Sequence, residues 1–243
     1  MVRKMEWAGK ANHLLGLPRK TVITAVGSFA KAVALLLNST TVHNADTLLN
    51  LVRSRPPGVP LITVSNHMST LDDPVMWGFK GFPTCNAELQ RWVLAAEDIC
   101  FKNTLHTFPQ GKVYQEDEPI RRLKWGTASL IARAPVTPIV LPIIHHGFEK
   151  VMPEKYMFGR RPLVPLWNKD IKIIVGEPIE FDIAKLKQTA ISISRSSSSF
   201  SKEGWPPFGP LDEAAQRCLY IDISERIRSV MEKMRVISKK PKA

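Results

Sequence analysis

The sequence is poor in cysteine and lacks the segments that mark secreted or membrane-spanning chains. Its 243 residues include three cysteines, which lie far apart and without metal-ligand spacing: Cys85, Cys100 and Cys218. An odd, scattered set of this kind argues against a disulfide framework and indicates reduced thiols. There is no run of 18 uninterrupted apolar residues and no secretory signal with a small-residue cleavage site. We therefore predict a chain without a transmembrane helix.

Acidic residues are also scarce. Asp and Glu total 22 against 34 Lys and Arg, which gives a formal net charge of +12 and a pI near 9.8. Such a balance predicts a polyanionic partner, either nucleic acid or an anionic membrane surface. The cations are spread along the chain and are not interleaved with aromatic residues at any recognised nucleic-acid motif. We therefore favour a phospholipid membrane surface and predict no nucleic-acid partner.

Residues 1–40 form a basic arm followed by an apolar stretch, Thr21–Leu37, which Gly27 and Lys31 interrupt. We predict a helix in the plane of the membrane interface, with Lys31 reaching for lipid headgroups. A buried helix and a mitochondrial presequence are the alternatives. Beyond the arm, helices are predicted over residues 44–55 and 211–237 and a strand over residues 171–175. A Ser- and Pro-rich flexible segment is predicted over residues 186–210, ahead of the C-terminal helix and basic tail at 211–243.

The stretch from Leu61 to Asp72 has the pattern of a strand that leads into a functional turn. Leu61 to Val64 predicts a buried strand, and Ser69 followed by Asp72 resembles the capping box that starts a helix. Residues five apart on one helix lie about 140° apart around its axis, so His67 can meet Asp72 only from the turn before that helix. An imidazole held by a carboxylate is the base-and-orienter pair of general-base catalysis. The alternative is a histidine that caps a turn.

Three later segments complete the pattern. Thr107 and Phe108 predict the end of a short strand, and the Pro-x-Gly turn before Lys112 offers backbone N–H groups and a cation to a phosphate. Residues 119–133 predict an amphipathic helix whose cations form either a solvated or a phosphate-binding face: Arg121, Arg122, Lys124 and Arg133. Residues 136–144 predict a strand that is buried by its apolar density, although its prolines favour an edge. The adjacent His145 and His146 have no third ligand at a matching spacing, so we predict no metal.

In this order, Asn66–Asp72, Thr107–Lys112, Arg122–Gly126 and Val136–Pro142 resemble the glycerolipid acyltransferases of the His-x4-Asp type, and most closely the tafazzin family with its plant relatives. The likeness covers about residues 5–183. It implies an α/β fold with a glycerol-3-phosphate acyltransferase-like mixed sheet flanked by helices, over residues 41–185. It also implies O- or N-acyl transfer to phospholipids or lysophospholipids, from acyl-CoA or from another phospholipid. No cofactor is implied beyond acyl-CoA as a co-substrate.

By the resemblance, His67 is the base that deprotonates the acceptor and Asp72 orients it. Substrate-binding roles are implied for residues of the third and fourth motifs: Phe108, Pro109, Gln110, Gly111, Lys112, Pro138 and Pro142. The family implies a mitochondrial membrane, with the plasma membrane or the endoplasmic reticulum as alternatives. It implies nothing about the oligomeric state.

The chain departs from the family in two places. The second motif, a Gly-containing stretch ending in an Arg that helps to hold the acceptor's phosphate, has no counterpart between residues 78 and 111, and residues 103–106 join the flanking segments directly. We therefore expect a gap in the core and the loss of a phosphate clamp. Gln110 also stands where the family usually has Glu, which puts that residue's charge and its hydrogen-bond-accepting role in doubt. A catalytically impaired, membrane-binding form is accordingly the alternative function.

Overall fold

The computed structural model describes residues 13–87, 89, 91–93, 104–116, 118–196 and 211–239, and these residues are organised around a six-stranded sheet. The strands are β1 (Ser39–His43), β2 (Leu61–Ser65), β3 (Arg91–Val93), β4 (Thr104–Thr107), β5 (Ile139–His146) and β6 (Asp170–Val175). Their spatial order is β1-β6-β5-β2-β4-β3. All neighbouring pairs are parallel except β5 and β6, which are antiparallel. The mixed α/β sheet predicted from the resemblance is therefore confirmed.

Helices cover both faces of the sheet. They are α1 (Leu17–Lys31), α2 (Ala45–Ser54), α3 (Asp72–Val75), α4 (Trp125–Arg133), α5 (Phe148–Val151), α6 (Ile183–Ser196) and α7 (Glu213–Ser238). One face packs against α1, which continues into a π-helical segment at Ala32–Leu37, and against α2 and α3. The other face packs against α4 and α7, and α6 packs on α7. Because β2 is buried along its whole length, the sheet forms the middle of three layers.

The fourth-motif strand, β5, is not an edge strand, which corrects the expectation from its prolines. It lies between β2 and β6 and is buried over Val140–His145. Its antiparallel pairing with β6 begins at Ile143, just after Pro142. Gly176, the residue after β6, donates its N–H to the carbonyl of Pro142. The proline therefore stands where the neighbouring strand has already ended, and its missing N–H breaks no rung of the ladder.

Two predicted boundaries are wrong. The helix expected from residue 119 begins only at Trp125. The backbone N–H groups of Ile120 and Lys124 do not bond within this helix but to Glu232 of α7 and to the carbonyl of Pro109. The segment expected to be flexible from residue 186 instead lies in α6 as far as Ser196, and residues 197–210 lie outside the described residues.

The N-terminal helix is longer than predicted. The α1 helix and the π-helical segment after it are continuous over residues 17–37, and Leu14 and Leu15 before them have left-handed backbone angles. The segment Leu14–Leu37 is long and apolar enough to cross a membrane by length and composition alone, and 22% of its apolar 18-residue stretch is buried. The absence of a transmembrane helix stays a prediction. The small residues of α1 approach the domain closely: a Cβ on Gly78 would lie 2.2 Å from the carbonyl oxygen of Ala30, and one on Gly27 would lie 2.7 Å from that of Thr84. The face turned away from the domain is apolar and exposed: Val22, Val26, Phe29, Leu35, Leu36 and Leu37.

The sheet is continuous beside the shortened segment. All four residues of β4, which begins at Thr104, are buried, and this strand pairs with β2 on one side and with β3 on the other. Residues 94–103, which precede β4, lie outside the described residues. The expected gap is therefore not found in the described hydrogen-bonded ladder.

Candidate active site

His67 and Asp72 meet at the carboxyl end of β2, as their spacing predicts. The β2 strand is flanked by the parallel strands β4 and β5, so the turn after it opens at the edge where α/β proteins bind ligands. His67 lies in that turn and Asp72 opens α3. The Nδ1 atom of His67 lies 2.9 Å from Oδ2 of Asp72. The imidazole is therefore held by one nitrogen, and Nε2 is the nitrogen left to face a substrate.

The carboxylate of Asp72 is fully buried and held by the turn itself. Besides His67, its Oδ2 atom accepts hydrogen bonds from the backbone N–H groups of Met68 at 2.6 Å and Ser69 at 3.0 Å. The capping box forms by half: Asp72 reaches back to Ser69, but the Ser69 hydroxyl accepts the N–H of Leu71, which is the N-cap of α3. The turn therefore positions the acid for His67.

The backbone and ring of His67 are also fixed from the third motif. Its ring stacks on Phe108 with a centroid separation of 4.1 Å, and its carbonyl accepts the N–H of Tyr114 at 2.7 Å. Its own N–H donates to Oε1 of Gln110 at 3.3 Å. About a fifth of the His67 side chain remains exposed. A partly exposed imidazole whose ring and backbone are both held in place is suited to taking a proton from a bound molecule.

The bond to His67 resolves the doubt about Gln110. The backbone N–H of His67 can only donate, so the amide oxygen of Gln110 must face it. Gln110 is itself buried and lies within the turn from Phe108 to Gly111. The hydrogen-bond-accepting role that a glutamate could fill here is thus retained without the negative charge.

Cations border the Pro-x-Gly turn. Gly111 has φ of +67° and donates its N–H to the carbonyl of Phe108, and a Cβ here would lie 2.8 Å from Nζ of Lys124. The side chain of Lys124 therefore passes directly over the turn, whereas Lys112 is exposed beside it. Arg121 lies over the ring of Tyr114 and is paired with Glu118, whose pKa this partner lowers. The structure thus places Phe108 and Gln110 in contact with His67, and Pro109, Gly111 and Lys112 lie on or next to the same turn.

The two fourth-motif prolines are not at the site. The strand residue after Pro138, Ile139, is paired with Leu61, at the end of β2 remote from His67. Pro142 is buried on the α7 face of the sheet, where its Cγ lies 2.9 Å from the Cβ position of Gly176. Pro138 precedes β5 and Pro142 lies within it, and the end of that strand is what reaches the site. That the two prolines bind substrate stays a prediction.

Three residues at the site had no role predicted from the sequence. Asn66 bonds the backbone of His145 with both ends of its amide, at 2.8 and 2.9 Å. Gln115 donates to the carbonyls of Met68 and Met152, both at 3.0 Å, and so ties the turn that carries His67 to the segment after α5. The paired strand ends of β2 and β5 were the signal that could have found Asn66 and His145.

His145 and His146 point to opposite faces of β5, so they do not form a joint metal site. Nε2 of His146 meets the hydroxyl of Ser238 at 2.9 Å, on the α7 side. His145 is fully buried on the other side, with Nε2 2.8 Å from the carbonyl of Asn66 and 3.6 Å from Oδ2 of Asp72. Burial lowers the pKa of His145, and the nearby Asp72 charge opposes this in part.

Comparison with known proteins agrees with this geometry, although no family model matches the chain. An N-acylphosphatidylethanolamine synthase of Arabidopsis thaliana is 56% identical, over 99% of this chain and 100% of that protein. The chain belongs to the tafazzin-related phospholipid acyltransferases. Tafazzin of Drosophila melanogaster is 34% identical over 66% of this chain and 51% of its own length, and a taffazin of Dictyostelium discoideum is 29% identical over 67% and 70%.

The chain is a shortened member of the tafazzin-related acyltransferases. The alignment with the Arabidopsis protein extends over 283 positions, whereas the chain has 243 residues, so at least 40 positions stand opposite gaps in this chain.

Proposed function

We propose that this chain is a membrane-bound phospholipid acyltransferase in which His67 is the general base. Nε2 of His67 takes the proton from the attacking hydroxyl or amine of the acceptor as it adds to the donor's acyl carbonyl. When the bond from the carbonyl carbon to the leaving group breaks, the imidazolium returns the proton to that group. The observation that carries the proposal is the 2.9 Å contact of Nδ1 with the buried Asp72, which leaves Nε2 as the free nitrogen.

The acceptor we favour is the amine of phosphatidylethanolamine. The Arabidopsis relative, 56% identical over its whole length, is named as a synthase of N-acylphosphatidylethanolamine. An amine attacks as the neutral form, and a base beside it removes the proton that the new amide nitrogen must lose. Transfer to a lysophospholipid hydroxyl uses the same atoms of His67 and is the alternative outcome.

The acceptor's phosphate would be held by Lys124 and Lys112 at the Gly111 turn. Lys124 crosses the turn within contact distance, and the turn adjoins His67 through Gln110. An ammonium group is a common phosphate ligand in proteins. This arrangement would supply the cation that the missing second motif provides in other members of the family.

We further propose that the exposed apolar surfaces contact the membrane. The outer face of α1 is apolar, and the loop after α5 exposes Phe158 at 95%, Leu163 at 100% and Trp167 at 64%. This loop is joined to the end of the N-terminal helix by the bond from the N–H of Asn168 to the carbonyl of Leu37. Exposed apolar patches flanked by cations are typical of membrane-interface contacts. A mitochondrial membrane remains the compartment predicted from the family.

A catalytically impaired, membrane-binding form is the second candidate function. The observation that favours it is the set of at least 40 alignment positions that have no counterpart in this chain. The base and its orienter are in place without the second motif, so the two candidates differ in turnover and not in fold or membrane binding.

The test is acyl transfer by the purified chain on vesicles that contain an acyl-labelled diacylphospholipid and either phosphatidylethanolamine or a lysophospholipid, with and without acyl-CoA. Mass spectrometry identifies the product, and the Arabidopsis relative is the positive control. We expect labelled N-acylphosphatidylethanolamine. Product only on the lysophospholipid would make the chain an O-acyltransferase. No product in any arm, with vesicle binding intact, would support the impaired form.

A further inference from the structure

A buried histidine lies directly behind the catalytic pair. His145 is at the end of β5, on the face of the sheet that carries α3, and its side chain is fully buried. Its ring packs edge-on against Phe148 with a centroid separation of 5.0 Å. Neither the base nor the turn motif needs a second imidazole here, and a buried polar ring has to be justified by what it bonds.

His145 and Asn66 are locked together by three hydrogen bonds. The amide of Asn66 donates to the carbonyl of His145 at 2.8 Å and accepts its backbone N–H at 2.9 Å. In return, Nε2 of His145 lies 2.8 Å from the carbonyl oxygen of Asn66, which can only accept. The ring therefore carries its proton on Nε2. The carbonyl of Asn66 belongs to the peptide that leads into His67, so the ring fixes the backbone from which the base projects.

The same nitrogen of His145 faces the carboxylate that orients the base. It lies 3.6 Å from Oδ2 of Asp72, the oxygen that holds Nδ1 of His67. This distance is too long for a hydrogen bond, but the N–H dipole still favours negative charge on that oxygen. Burial lowers the pKa of His145, so the ring remains neutral and does not compete with His67 as a cation. Four groups act on it: Asp72 in α3, Glu149 in α5, His67, and the backbone of Asn66.

We propose that His145 is a positioning residue for acyl transfer: through Nε2 it fixes the Asn66–His67 peptide and keeps Asp72 directed at Nδ1 of His67. It touches no substrate atom. The inference rests on the proposed function, in which His67 is the base. Two readouts follow from this role: the catalytic rate constant, and the hydrogen bond between His67 and Asp72, which can be observed without turnover.

The test compares three variants of the full chain. In His145→Gln the side-chain amide can place a donor where Nε2 lies, in His145→Asn the amide is too short to do so, and in His145→Leu the donor is absent. His146→Gln is the matched control, because His146 is the next residue on β5 and points to the opposite face. Each is assayed for kcat and KM of vesicle acyl transfer, and the Nδ1–H signal of His67 is followed in ¹⁵N-histidine NMR spectra.

We expect His145→Asn and His145→Leu to lower kcat by about 10- to 100-fold with KM within about twofold, since small misplacements of a base cost rates of this order. Their low-field His67 signal should weaken. His145→Gln should recover most of both readouts, and His146→Gln should match the parent. Unchanged kcat and an unchanged His67 signal in folded His145→Asn would overturn the proposal. A signal unchanged in every variant would overturn it even if the parent shows no turnover.

A His67→Gln arm separates this inference from the proposed function. If His67→Gln retains full transfer, the base assignment fails and the kcat data no longer bear on it. If His67→Gln is inactive while all His145 variants match the parent in kcat and in the His67 signal, the positioning role alone is contradicted.

Discussion

At the scale of single residues, the site is a histidine held from three sides. Asp72 holds one ring nitrogen of His67, Phe108 supports the ring, and Gln110 accepts its backbone N–H. The three contacts come from two parts of the chain, the turn after β2 and the turn after β4, and each restricts a different degree of freedom. The catalytic role proposed for His67 therefore depends on how these neighbours hold it, and substitutions at these positions separate orientation from folding.

Replacing Asp72 with Asn tests the orienting carboxylate. The amide oxygen of Asp72→Asn can still accept the N–H groups of Met68 and Ser69, so we expect the turn to persist. The uncharged amide no longer stabilises the imidazolium or selects the ring tautomer, and we expect kcat to fall by about 10²- to 10⁴-fold. The measurement is vesicle acyl transfer alongside circular dichroism. A folded variant within threefold of the parent would contradict the role of Asp72.

Substitutions of Gln110 separate its accepting oxygen from its charge. Gln110→Leu leaves the backbone N–H of His67 without its acceptor, and we expect a loss of about 1–3 kcal/mol in the free energy of unfolding together with lower activity. Gln110→Glu keeps the acceptor and should retain at least the parental rate. Urea unfolding in detergent and the acyl-transfer assay check both. A Gln110→Leu variant as stable and as active as the parent would show that the bond has no such importance.

At the scale of secondary structure, the sequence predicts elements well where local pattern and tertiary contacts agree. The run from Leu61 is uniformly apolar, and the buried stripe of α7 has a strong helical period. Both elements form where expected. The position of Pro142 misleads, because whether a proline disrupts a sheet depends on where the neighbouring strand ends. The helix predicted from residue 119 begins later than expected, at Trp125, and backbone N–H groups ahead of it bond to remote acceptors.

The candidate site divides in the same way. The meeting of His67 with Asp72 is local, five residues apart around one turn; geometry permits it, and the order of the later motifs made it the prediction. The bonds of Asn66 with His145 join residues 79 apart, and their pairing depends on β2 lying beside β5. The contact between Lys124 and Gly111 likewise depends on an extended segment that the pattern predicted as helix. Long-range register is what the sequence could not supply.

The loop after α5 provides the element-scale test of membrane contact. Phe158 and Leu163 are almost fully exposed, so replacing both with Ser removes no buried contact and should leave the fold intact. We expect the double variant to bind anionic vesicles at least about 10-fold more weakly, because the apolar surface that two large side chains would bury in the bilayer is removed. The measurement is vesicle sedimentation. Ile221→Ser on α7 is the control, since Ile221 is an exposed apolar residue on the opposite face of the sheet. Equal binding by all three proteins would contradict membrane contact by this loop.

At the scale of the whole molecule, a central sheet brings the ends of β2, β4 and β5 to one edge and places helices on both faces. The shortened region includes the start of β4, whose residues Thr104 to His106 pair with Leu61 to Thr63 of β2, so it lies beside the strand that leads to His67. The β5 strand, which carries His145, lies on the other side of β2. Asp72 and His145 hold the His67 turn through bonds that involve no residue of the shortened region.

The buried His145 makes global stability depend on pH. Its pKa in the folded state is lowered from 6.5, chiefly by burial. Below about pH 6.5 the unfolded chain therefore binds a proton at His145 more readily than the folded chain does. The free energy of unfolding should therefore fall as pH drops below about 6.5, by up to about 1.4 kcal/mol per pH unit. Urea unfolding between pH 7.5 and 5 measures this slope. His145→Gln should flatten it, and an identical slope in that variant would contradict the assignment to His145.

The most direct test of the central claim is acyl transfer by the parent chain and by His67→Ala, at matched amounts bound to the same vesicles. His67 is partly exposed and bonds through its ring only to Asp72 among the described residues, so its removal should not prevent folding or membrane binding. We expect labelled acyl product from the parent and a loss of at least about 10³-fold in the variant. Equal product from both proteins would contradict the assignment of His67 as the base.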